Sequence, residues 1–131
     1  MPNEIIVKQL NVKKDERGWL AEIVTKEDVP NPFGLILVTT AYPGKTKGNH
    51  YHKRKSEWYC VVQGNGLLAI TDLASKKKTE IRIGKNNMAL VKIPPNYLHS
   101  ITNIGQEEMI LISYVDESFN EKDPDTYYLK K

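Results

Sequence analysis

"GKTKGNHYHKRKSEWYCVVQG", residues 44–64, carries His50, His52 and, five residues further on, Glu57. The chain has only 3 histidines, and the third, His99, lies downstream in "IPPNYLHSITN". "EWYCVVQG" is a short run of β-branched and aromatic residues closed by glycine, the pattern of a strand and its turn. Two residues apart on a strand, His50 and His52 present their rings to one face, with Cα atoms roughly 6.6–7 Å apart. Rings leaning together from that spacing share one metal ion at about 2.0–2.1 Å each. The polar residues 53–56 are able to turn the chain and return the Glu57 carboxylate to the same side. His99, at the start of a later strand, closes the set. Three imidazoles and a carboxylate suit a borderline divalent ion, Zn, Ni, Fe, Co or Mn, with one or two positions open for water or ligand.

The strand pattern extends in both directions. "EIIVKQLNV", "WLAEIV", "GLILVTTAY", "EWYCVVQ", "GLLAITD", "TEIRI", "MALVKI", "LHSITNI" and "MILISYV" are short, apolar on alternate or successive positions, and divided by Gly, Pro, Asn and Asp. "QGNG" (residues 63–66) reads as a tight hairpin in which Gly64, Asn65 and Gly66 can take positive φ. "SKKKTE" reads as a solvated hairpin tip. The tail "DESFNEKDPDTYYLKK" reads either as a short helix or as an extended arm. About nine short strands make an all-β sandwich or barrel.

A chain of 131 residues fits one domain, here residues 1–131. Cys60 is the single cysteine, which excludes an intrachain disulfide and a cysteine-built zinc site; its apolar neighbours make it a small buried hydrophobe. "MPNEIIVKQL" is too charged for a signal peptide, and no apolar run reaches the roughly 20 residues that span a bilayer. The expectation is a soluble cytoplasmic protein without membrane contact. The net charge of +3 is not laid out as a basic stripe with interleaved aromatics, so nucleic acid is not the expected partner. The lysines of "KTKGNHYHKRK" instead bracket the histidines, where an anionic small molecule needs counter-charge.

The histidine spacings resemble the cupin superfamily. Its first motif is met by Gly44, His50-Tyr51-His52, Glu57 and Gly64; its second by Pro94-Pro95-Asn96-Tyr97-Leu98-His99-Ser100-Ile101-Thr102-Asn103. Asn96 stands where the motif has glycine, and asparagine tolerates the left-handed backbone such a turn needs. Gly84 opens the second motif further upstream than is usual. The resemblance implies a double-stranded β-helix, or jelly-roll, barrel with the site inside it, commonly in a homodimer.

"DERGWLAEIV" (residues 15–24) is similar to the opening of nucleotide-sugar cupins of the dTDP-4-dehydrorhamnose 3,5-epimerase type, which implies that Arg17 and Glu22 help hold a nucleotide-sugar. "KGNHYHKRKSEW", "IPPNYLHSITNIG" and "DESFNEKDPDTYY" are similar to the C-terminal cupin domain of bifunctional capsular-polysaccharide enzymes that epimerise and then reduce a UDP-4-keto-6-deoxy amino sugar. The reductase fingerprint GxGxxG is absent from the sequence. The implied reaction is epimerisation of a dTDP- or UDP-4-keto-6-deoxy sugar through an enolate. It needs a base, an acid on the opposite face of the ring, and a charge for the enolate oxygen. His50 stands where the 3,5-epimerases place their base, and Lys47 replaces their arginine. Lys55 or the metal would steady the enolate, and Tyr59 or Tyr114 would return the proton. A ring nitrogen that binds a metal cannot also take a proton, so His50 is either ligand or base. "KGNHYHK" also echoes the nucleotide-sugar 3,4-ketoisomerases, from which Glu57 departs. A non-catalytic metal-cupin binding protein and a metal-dependent dioxygenase use the same ligand set.

Overall fold

The computed structural model of the protein describes residues 4–30 and 33–129. Eleven strands follow one another: β1 (Ile6–Gln9), β2 (Lys13–Asp15), β3 (Gly18–Leu20), β4 (Leu35–Ala41), β5 (Thr46–His50), β6 (Glu57–Gln63), β7 (Asn65–Asp72), β8 (Lys78–Gly84), β9 (Ala89–Ile93), β10 (Tyr97–Asn103) and β11 (Met109–Val115). All pairings are antiparallel. They form a five-stranded sheet, β1-β9-β6-β11-β4, a four-stranded sheet, β5-β10-β7-β8, and a separate β2-β3 hairpin. This is the expected jelly roll. Among the described residues no helix is long and apolar enough to cross a membrane. Residues 116–129 of the tail hold no helix and take the extended alternative.

Tyr59, Val61, Leu68, Ile70, Ile83, Val91, Ile93, Ile101 and Leu111 point inward from both sheets and form the core between them. Because side chains alternate along a strand, their neighbours Trp58, Cys60, Leu90 and Tyr114 face outward, where Leu10, Ile23, Val24, Val29 and Met88 cover them. The five-stranded sheet is therefore apolar on both faces at β6, which explains why "EWYCVV" reads as a continuous apolar run. Cys60 is buried in that outer layer, as expected.

The "QGNG" expectation is corrected. Only Gly64 takes positive φ, at 81°, and β6 and β7 do not pair with each other. The chain crosses at Gly64 from one sheet to the other. Gly66 has no room for a side chain: a Cβ there would lie 2.8 Å from Met109 Sδ and 2.9 Å from Ile101 Cδ1. "SKKKTE" behaves as read, its backbone turning between β7 and β8 with Lys76 at φ 67°.

Asn96 adopts the left-handed conformation at φ 68°, as its place in the motif requires. Its N–H donates to the His52 carbonyl at 2.7 Å, so this turn ties the start of β10 to the loop carrying His52. Asn96→Gly is expected to fold with stability near that of the parent, whereas Asn96→Val, β-branched in a left-handed turn, should cost at least roughly 1–2 kcal/mol. Urea denaturation of the two variants measures the difference.

Candidate metal and active site

The register of β5 against β10 builds the site. His50 pairs directly with His99, and beyond them the register slips at the His99/Ser100 step, where Asn49 takes φ 67°. The slip lets His50 and Lys47 share the inward face with His99 and Ile101. Gly48 lies close under β10; a Cβ there would meet the His99 carbonyl oxygen at 3.1 Å. β5 ends at His50, so the expectation that His50 and His52 share one strand is corrected. Tyr51 makes an isolated bridge to Tyr127, and His52 lies in the following loop. The rings still meet, with centroids 5.0 Å apart for His50 and His52 and 4.8 Å apart for His50 and His99.

Glu57 opens β6 two residues before Tyr59 and so points into the barrel. Its Oε1 accepts from His52 Nε2 at 2.6 Å and lies 3.1 Å from His99 Nε2. His50 Nε2 stands off at 4.0 Å. The four ligand atoms all lie within 4.8 Å of one another. Ser113 on β11 reaches the other carboxylate oxygen at 3.4 Å. His52 Nδ1 donates to the Asp125 carbonyl at 2.7 Å, and His99 Nδ1 faces the Tyr97 carbonyl at 3.1 Å. A carbonyl only accepts, so both Nδ1 atoms carry hydrogen and both Nε2 atoms are directed at the carboxylate. Fixing one ring nitrogen on a carbonyl to present the other is how metal-binding histidines are oriented, and the donor set fits a divalent ion.

Electrostatics separate the four. Burial alone would raise the pKa of Glu57, but the bonds from His52 and His99 hold it well below the usual carboxylate range. Burial pulls His52 down, and the bond to Glu57 with its charge more than offsets this, leaving His52 above the usual imidazole value. Burial and the neighbouring His99 push His50 down to about 4 against the pull of Glu57, so at neutral pH it is an uncharged base. It is also the ring nearest solvent, its side chain 21% exposed. Burial and the Glu57 charge raise the Tyr59 phenol well above its usual value; it stays protonated.

The remaining expected residues divide. Tyr59 joins the site, its ring edge-on to His99 at 5.7 Å. Tyr114 does not, a correction that follows from strand alternation. Ser113 takes the inward position, and the Tyr114 hydroxyl accepts from the Gly34 N–H at 2.9 Å behind the sheet. Lys55, in an apparently solvated stretch, is only 5% exposed. Its Nζ lies 5.8 Å from the Phe119 ring centroid, and among the described residues no hydrogen bond or ion pair holds it. Lys47 Nζ reaches across the barrel mouth to Thr39 Oγ1 at 3.2 Å. Arg17 is tied to Asp15 within the β2-β3 hairpin, with its side chain 84% exposed. Glu22 lines a groove of about 240 Å³ with Lys8, Leu10 and Thr25. Neither contacts the histidines. The sequence reading missed Ser113, Tyr128, whose ring lies edge-on to His50 at 5.9 Å, and Asp125.

A jelly roll with three histidines and a glutamate directed at its interior is a cupin. A model described as the polysaccharide biosynthesis C-terminal domain matches residues 13–127, and the chain belongs to that family. It is 28% identical over 127 residues to a UDP-2-acetamido-2,6-beta-L-arabino-hexul-4-ose reductase of Pseudomonas aeruginosa, a match covering 97% of this chain and 33% of that protein. The chain thus spans about a third of that relative's length. The capsular polysaccharide assembling protein CapF from Staphylococcus aureus superposes with a TM-score of 0.72 and 33% identity over 93% of this chain and 33% of CapF. The dTDP-4-dehydrorhamnose 3,5-epimerase from Sulfolobus tokodaii shares the fold, with a TM-score of 0.82 and 23% identity over 99% of this chain and 83% of that one.

The Glu57 contribution to stability is complete above its unfolded value and lost as pH falls through its lowered folded value. The His52 contribution is complete below 6.5 and lost as pH rises through its raised value. Glu57→Gln removes the charge that raises His52 and leaves burial and Lys55 opposed only by the Asp125 carbonyl. In the metal-free protein its NMR titration midpoint is expected above 6.5 in the parent and lower in the variant.

Proposed function

We propose that the protein is an isomerase of surface-polysaccharide biosynthesis that epimerises a dTDP- or UDP-linked 4-keto-6-deoxy sugar. The observation that carries this is His50 on the solvent side of a buried centre of His52, Glu57 and His99, in a chain of the polysaccharide biosynthesis family. The names of the Pseudomonas relative and of the fold neighbours, a hexul-4-ose reductase and dTDP-sugar enzymes, support the substrate class.

His52, Glu57 and His99 are the tight group and would hold a divalent ion; His50, set back at 4.0 Å, is left free as the base. On this reading His50 acts as base and not as ligand. His50 Nε2 takes the proton beside the ketone, the C–H electron pair becomes a carbon–carbon double bond, and the carbonyl electrons move onto oxygen as an enolate. A bound ion of the Zn, Ni, Fe, Co or Mn kind would polarise the ketone oxygen. Lys55, mostly buried and with Glu117 as an electrostatic neighbour, would add positive charge for the enolate. The protonated Tyr59 phenol returns a proton to the opposite face, and Lys47 at the mouth meets the diphosphate.

We further propose one cupin domain, cytoplasmic, working as a homodimer. Ile36 and Val38 on edge strand β4, 60% and 62% exposed, and Trp19 and Leu20 of the hairpin are apolar surface for a second copy to cover. That pairing would also place the exposed Arg17 and Glu22 to help hold a nucleotide-sugar.

With a dTDP- or UDP-4-keto-6-deoxy sugar in deuterium oxide, the protein is expected to place solvent deuterium at C3, read by mass spectrometry and NMR. A ketone moved to C3 would identify a ketoisomerase, and absence of exchange with any such sugar would leave a binding protein. His50→Ala should lose at least about a hundredfold in exchange rate while keeping divalent metal close to parental stoichiometry. His52→Ala should lose the metal. Metal lost from the His50 variant as well would make His50 a ligand.

A further inference from the structure

The loop 53–55 and residues 116–128 are joined by contacts of an unusual kind, and most converge on one residue. Asp125 is 1% exposed and holds a left-handed backbone at φ 54°. Its carboxylate accepts three successive backbone N–H groups, from Lys53 at 3.0 Å, Arg54 at 2.9 Å and Lys55 at 3.0 Å. Its carbonyl takes the His52 Nδ1 hydrogen at 2.7 Å. One residue therefore shapes the turn that returns Glu57 to the site and also sets the rotation of the His52 ring.

The flanking tail is fastened on both sides of Asp125. Arg54 bonds Glu117 at 2.7 Å and Asp123 at 3.2 Å. Asp116 accepts the Ser56 N–H at 3.1 Å. Tyr127 exchanges two backbone hydrogen bonds of 2.9 Å with Tyr51, and the two rings stack with centroids 5.5 Å apart. The tail is a strap across the loop bearing His52.

We propose that Asp125 is a positioning residue that fixes His52, and that docking of the strap is coupled through it to occupation of the His52–Glu57–His99 centre. The coupling rests on the ion-site reading above; the positioning of His52 does not. Without its carboxylate, residue 125 has no side-chain reason to hold the left-handed turn, and the carbonyl leaves Nδ1. The ring is then free to rotate Nε2 away from the centre. Linkage makes the effect reciprocal: whatever holds Nε2 in place also stabilises the Nδ1 contact and the strap.

The test compares Asp125→Ala, Asp125→Asn and Asp123→Ala with the parent by three readouts. In metal-free protein the His52 Nδ1 hydrogen is expected as a slowly exchanging ¹H–¹⁵N signal in the parent and Asp123→Ala. It should vanish in Asp125→Ala and weaken in Asp125→Asn, which tolerates the backbone but loses one charged acceptor. Zn²⁺ affinity, by competition with a chromophoric chelator, should fall roughly ten- to a hundredfold in Asp125→Ala and stay parental in Asp123→Ala. Zn²⁺ should slow amide exchange of Tyr127 in the parent and not in Asp125→Ala. If Asp125→Ala does not fold, Asp125→Asn decides. An undiminished Nδ1 signal in the Asp125 variants overturns the positioning. Equal Zn²⁺ protection of Tyr127 in parent and variants overturns the coupling. A parent that binds no Zn²⁺ overturns both the coupling and the ion-site reading, while the Nδ1 signal still decides the positioning.

Discussion

A carboxylate buried in a barrel costs several kcal/mol unless charge and hydrogen bonds replace its lost water. Glu57 meets this cost with His52, His99, Ser113 and the Tyr59 phenol, and the rest of the inner site is arranged around it. The register between β5 and β10 sets His50 opposite His99. The left-handed turn at Asn96 secures the His52 loop, and Asp125 shapes the return of the chain from His52 to Glu57. Each element brings a nitrogen, or holds one, toward the same oxygen.

This arrangement separates function within a few ångströms. The two rings with Nδ1 on carbonyls are fixed and directed inward, suited to hold a cation. His50 is nearest solvent and lacks its charge at neutral pH. A proton-transfer site is served by such a division, because a ring whose Nε2 is directed at Glu57 is not free to take a substrate proton. Lys55 and Lys47 are the lysines that the proposed reaction would use, the first for an enolate and the second for a diphosphate.

Much of this was legible in the sequence where spacing is local. His50, His52 and Glu57 lie within eight residues, and the conformation of Asn96 follows from its place in a short motif. Tyr59 was legible too, since it is two residues from Glu57 on one strand. Features set by distant pairing were not. Tyr114 is excluded only once β11 is in register with β6, which gives Ser113 the inward position. Gly64 looks like a hairpin turn because sequence does not reveal that β6 and β7 belong to different sheets. Lys55 reads as solvated until residues 116–125 are laid over it. Asp125 lies about seventy residues from the loop it organises, in a polar tail without periodicity, and no local signal marks it. Only resemblance to other chains points to Arg17 and Glu22, and their neighbours here lie away from the histidines.

The proposed reaction depends on Glu57, His52 and His99 forming one cation centre. Crystals of the Zn²⁺-loaded protein, measured on both sides of the zinc absorption edge, test it most directly. The expected result is one anomalous peak within bonding distance of both Nε2 atoms and a Glu57 oxygen. No peak at that point, or zinc bound only by residues elsewhere on the chain, would contradict it.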